Sequence, residues 1–145
     1  MIVYQNWLIT IDFNPAFDIL SAELPNVSEY GLAELSRALD MVAEHVISYD
    51  ASNLLLDSSR VMVSQIQDDA YKKLIWKFLV ALTATRLKRF ARLNDSLQSH
   101  EVRALSVTDE TFMQLGSPIE FRSFSRKEDA AEWLKAGRFA GSRLV

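Results

Sequence analysis

The chain has 145 residues, 49% of them hydrophobic, and a formal net charge of −3. That length suits one domain with a sizeable core, and three Pro and four Gly leave little room for linkers or low-complexity tracts. The absence of Cys excludes disulfides, thiolate nucleophiles and Cys-ligated zinc.

Met1 to Thr10 carries no basic residue and no long apolar run, so it does not read as a signal peptide. The longest apolar stretches, such as Leu54 to Leu56 and Phe78 to Leu82, are far too short to span a bilayer. A cytoplasmic protein without a membrane span is expected. The net charge hides an asymmetry. Residues 1–69 hold eleven acids and two bases, Arg37 and Arg60, a net −9; residues 70–145 hold fourteen bases and eight acids, a net +6. Such a split can steer partners or arrange self-association. The plainer reading is that the two halves interleave and neutralise each other in the fold.

Trp7 to Phe13, rich in β-branched and aromatic residues, predicts a first strand. Asn14-Pro15 signals a turn, and Phe17 to Leu24 reads as a second strand closing an antiparallel hairpin. Asn26 or Ser28 can cap a helix in which Leu32, Leu35, Leu39, Val42 and Val46 share one face, ending near Asp50. Asn53 to Asp57 is a short continuous apolar run, as suits a third strand buried on both faces. After a loop from Ser58 to Gln67, Asp68 or Asp69 opens a second helix with the stripe Tyr71, Leu74, Ile75, Phe78, Leu79 and Leu82. Arg89 to Leu93 predicts a fourth strand, Asn94 to Leu115 a broken helix, and Glu120 to Phe124 a fifth strand. Ser125 and Glu128 match a capping box, and Gly137 is placed to stop the last helix. The expectation is one domain over residues 1–137 and a flexible tail over 138–145.

The order ββαβαβαβα implies an α/β fold: a mostly parallel five-stranded sheet begun by a β-hairpin and covered by helices. That order resembles the STAS fold, and is most similar to the small stand-alone SpoIIAA-like domains of bacteria. Three passages carry the likeness: Asn53 to Val61, Lys88 to Leu93, and Phe121 to Leu134. The resemblance implies a non-enzymatic regulatory or binding domain. In the anti-sigma factor antagonists of that family a Ser opening the helix after the third strand is phosphorylated. The matching position here falls near Ile66 or Gln67, with Ser64 two residues earlier, and the family's Asp-Ser-Gly context is absent.

In open α/β sheets, ligands bind outside the carboxyl ends of the strands. Asp57, Ser58, Ser59 and Arg60 should sit there, with Ser64 nearby, and could hold a small polar ligand or a partner. The alternative is that Asp57 and the serines satisfy loop backbone donors. Lys88, Arg89 and Arg92 form a second candidate, a basic patch for phosphate or an acidic partner. With only Phe90 among them, nucleic-acid binding is not expected. These charges could instead protect an edge strand from aggregation. Met62-Val63 and the Trp76, Phe78 and Leu79 face could line a small apolar cavity beside the second helix, although ordinary core is the plainer account. His45 and His100 are isolated and give no metal-ligand spacing, and no nucleophile elbow or phosphate-binding Gly loop is present. No cofactor, metal or enzymatic activity is expected. The reading is a binding module for a protein partner or small ligand at the loop after the third strand. The alternative is a self-associating structural domain.

Overall fold

The computed structural model describes residues 1–6, 9–24, 32–58, 68–93 and 119–143. Along them run β1 (Ile2–Gln5), β2 (Thr10–Asn14), β3 (Ile19–Glu23), α1 (Leu32–Tyr49), β4 (Asn53–Asp57), α2 (Asp68–Thr83), β5 (Arg89–Leu93), β6 (Glu120–Phe124) and α3 (Lys127–Arg143). The fold is α/β, with one mixed sheet in the order β1-β2-β3-β4-β5-β6. β2 is antiparallel to both neighbours, and the remaining three pairings are parallel.

The sheet has six strands where five were expected, and the described elements follow βββαβαββα. The missed strand is β1. A register shift between Ile2 and Tyr4 lets both Val3 and Tyr4 pack against the core, which breaks the period-two pattern that marks a strand. The helix expected between residues 94 and 115 lies outside the described residues.

Strand alternation builds two cores. Ile11, Leu20, Ala22, Leu54, Leu56 and Phe90 point to one face, where α1 and α2 supply Leu35, Leu39, Val42, Val46, Leu74, Phe78, Leu79 and Leu82. Ile19, Leu55 and Ala91 point to the other, where Ala130 and Leu134 of α3 cover them. β4 is buried on both faces, which explains its unbroken apolar run.

Local chemistry sets the ends of these elements. Asp50 ends α1 in the left-handed region (φ 52°), a conformation Asp tolerates better than most residues, and Ala51 N–H closes the turn on Val46 C=O at 3.1 Å. Asp18 does the same in the β2–β3 turn (φ 56°). The first α3 bond runs from Ala130 N–H to Arg126 C=O (3.2 Å), so the cap falls on Arg126, one residue after Ser125. α3 continues through Gly137 to Arg143.

Candidate functional site

The backbone alternates at the end of β4, so Asp57 and Ser58 face opposite layers although adjacent in sequence. Ser58 is buried, and both its amide (3.0 Å) and its hydroxyl (3.1 Å) donate to the Leu93 carbonyl. This hydroxyl ties the carboxyl ends of β4 and β5 together, which is the backbone-satisfying role. Ser59, Arg60 and Ser64 lie outside the described residues, as do Met62, Val63 and His100.

Ser58 also lines a cavity of about 30 Å³ between the sheet and the two helices α1 and α2. Leu24, Leu35, Leu39, Leu56, Ile75, Phe78, Leu79 and Phe90 form its apolar wall, and among the described residues Arg92 is the one ionisable group that lines it. Phe78 meets Phe90 edge-on at 6.2 Å. Of the residues weighed as core or cavity lining beside the second helix, Phe78 and Leu79 belong to the core and also line this cavity, whereas Trp76 is 42% exposed.

Arg92 is buried, 8% exposed, and sits in register between Leu56 and Ser123. A guanidinium carries five N–H donors and stays charged when buried, which makes it the strongest local attractor for an anion. The Ser123 hydroxyl is also buried and makes no hydrogen bond among the described residues. Nothing in the sequence singled out Ser123, a residue of the closing strand.

The other two bases of the expected patch lie elsewhere. Arg89, three positions before Arg92, points to the α3 face. There it donates to the Trp133 carbonyl (2.7 Å), stacks over the Trp133 ring (4.7 Å) and pairs with Glu120 (3.1 Å). Lys88 is exposed, with its amide bonded to Ser52 C=O. The three bases do not share a surface, and β5 lies inside the sheet between β4 and β6, so its charges are not edge protection.

Asp57 lines a second cavity, of about 140 Å³, on the α3 face beside Lys127. Thr10, Asp12, Ser21 and Glu23 complete its polar wall. Among the described residues no group of His, Asp and Glu is arranged to hold a metal ion. His45 is committed to packing: its Nδ1 lies 2.7 Å from the Met41 carbonyl, and its ring lies against Tyr4 and Tyr49.

The connection pattern also shapes the site. β3 to β6 follow one another in chain order, and α1 and α2 share a face. These strands have no point where their order reverses, which is where open α/β sheets ordinarily form a crevice. The gap beneath α1 and α2 takes its place. No described helix is long and apolar enough to cross a membrane. The chain matches no family model, no curated protein and no solved structure.

Proposed function

We propose that the chain is a non-enzymatic, STAS-like binding and regulatory module that takes a small ligand with an anionic head and an apolar body. The ligand enters beneath α1 and α2 at the carboxyl ends of β4 and β5. One observation carries this reading: a buried cation, Arg92, lines a mostly apolar cavity at the strand ends. The guanidinium keeps its charge when buried, and in these low-dielectric surroundings its field attracts an anion. An anionic head complements that charge, and the apolar wall suits a short hydrocarbon body once α1 and α2 part to widen the cavity of about 30 Å³. Ser58 adds a hydroxyl oxygen to the wall, and Ser123 lies in register beside Arg92. The STAS resemblance supports a regulatory role, exerted through the segment after β4 rather than through a phosphorylated Ser at the family's usual position.

The test is NMR titration with three six-carbon probes: hexanoate, hexanol and hexylamine. Hexanoate is expected to shift the methyl signals of Leu35, Leu39 and Leu56 at lower concentration than the other two. Arg92→Gln should abolish that preference while leaving hexanol shifts intact, which separates loss of the charge from loss of the fold. Equal response to hexanoate and hexylamine, or shifts confined to other residues, would reject the reading.

A further inference from the structure

The helical layer that roofs the cavity has an outer surface with a pattern of its own. On α2, Lys72, Lys73, Trp76, Lys77 and Val80 are all exposed. At 100° per residue they fall within an arc of roughly 140°, with Trp76 and Val80 between the lysines. On α1 the exposed face presents Asp40, Glu44 and Ile47, with Arg37 as its only base. Trp76 is 42%, Val80 40% and Ile47 62% exposed, and with Tyr49 these two helices hold four of the six large hydrophobic residues exposed among the described residues. An acidic face with an apolar residue thus lies beside a lysine face with two, on a helix whose first turn also holds Asp68 and Asp69. Lys77 and Asp40 mark the seam, 3.7 Å apart.

We infer that this layer is a docking surface for a second copy of the same chain. α1 and α2 both connect parallel neighbouring strands on one face of the sheet, so they run side by side in the same direction. A twofold axis parallel to the helices and midway between them lays α1 of each copy over α2 of the other. Asp40 and Glu44 then face the lysine helix, and Ile47, Trp76 and Val80 are enclosed. The alternative axis, perpendicular to the helices, would stack α1 on α1 and α2 on α2 and oppose like charges. Charge complementarity therefore selects both the occupant and the symmetry. Helices of 18 and 16 residues form a layer roughly 25 Å long and about 20 Å wide, a patch large enough for a modest, salt-sensitive dimer.

This arrangement also gives the charge split a physical meaning. Sheet order equals chain order, so acidic α1 and lysine-bearing α2 sit side by side on one face, while on the other face α3 of the basic half lies over strands of the acidic half, with Lys127 beside Asp57. On the first face the two halves meet at the α1–α2 seam, where Lys77–Asp40 and Arg86–Asp50 pair.

Sedimentation velocity on the full chain tests the inference. The wild type is expected to show a monomer–dimer equilibrium at 50 mM salt that weakens at least about tenfold at 500 mM. Two double variants, Lys72→Glu with Lys73→Glu and Asp40→Lys with Glu44→Lys, should each be monomeric at 50 mM with unchanged circular dichroism. Mixing the two should restore a dimer, because one interface half is then native and the other has both charges reversed. A wild type that stays monomeric at low salt, a dimer indifferent to salt and to both reversals, or variants that fail to complement would each overturn it. So would a monomer that instead binds anionic vesicles through Lys72 and Lys73.

Discussion

Ser58 and Leu93 are joined twice, the Ser58 amide and hydroxyl both donating to the one Leu93 carbonyl at 3.0 and 3.1 Å. The carbonyl keeps the amide bond when the hydroxyl is removed. Ser58→Ala is therefore expected to cost only about 1 kcal/mol, read by urea denaturation. A loss near 3 kcal/mol would show that the hydroxyl holds more than the strand ends.

Phe78 connects α2 to the sheet through its edge contact with Phe90 and is 5% exposed. Phe78→Ala should lower stability by about 3–5 kcal/mol through lost burial and an enlarged cavity. Near-wild-type thermal unfolding would remove this ring from the core. The same variant enlarges the proposed ligand pocket, so hexanol binding should survive wherever the protein remains folded.

Arg89 anchors α3 by two contacts to Trp133 and makes a third, weaker one to Glu120 of β6. Its bond to the Trp133 carbonyl and its stacking on that ring are half-buried, while the Glu120 side chain it pairs with is 61% exposed. Exposed ion pairs contribute about 0–1 kcal/mol. Glu120→Gln should therefore change stability by less than about 0.5 kcal/mol, and Arg89→Ala should cost about 1–3 kcal/mol. Arg89→Lys is expected to recover little of that loss, because an ammonium does not reproduce the planar stack. Equal effects of Glu120→Gln and Arg89→Ala in guanidinium-free thermal melts would contradict this division.

The β2–β3 turn is held from across the sheet. Asn53 is buried and its Nδ2 reaches the carbonyls of Phe17 (3.4 Å) and Asp18 (3.1 Å). Asn53→Ala leaves those carbonyls without this donor and should cost about 1–3 kcal/mol. At Asp18, whose φ is 56°, Val should cost roughly 1–2 kcal/mol more than Gly. Chemical denaturation of the four proteins, wild type included, gives both comparisons.

Several features were readable before any fold was in hand. The faces of α1 and α2 follow from residues spaced three and four apart, and Leu35, Leu39, Val42, Val46, Leu74, Phe78, Leu79 and Leu82 are all buried. The unbroken run in β4 announced burial on both sides. Alternation within Arg89 to Leu93 already separates Arg89 from Arg92, so their opposite placement was legible in principle. β1 was not, because its register shift erased the alternation. Nor was the exposure of Trp76, since a tryptophan beside a helical stripe reads as core.

Periodicity and element boundaries are local properties of the backbone, so the order of residues determined most of the helices, most of the strands and the side of each that turns inward. Contiguity misled at the strand end: Asp57 and Ser58 read as one polar cluster, yet one faces the α3 layer and the other the α1–α2 layer. Only the tertiary structure decided that separation, the place of Arg92 in the wall of a mostly apolar cavity, and the side-by-side setting of α1 and α2. Each depends on which layer covers which sheet face and on strands joining in chain order. Those are non-local outcomes of packing that no window along the chain contains.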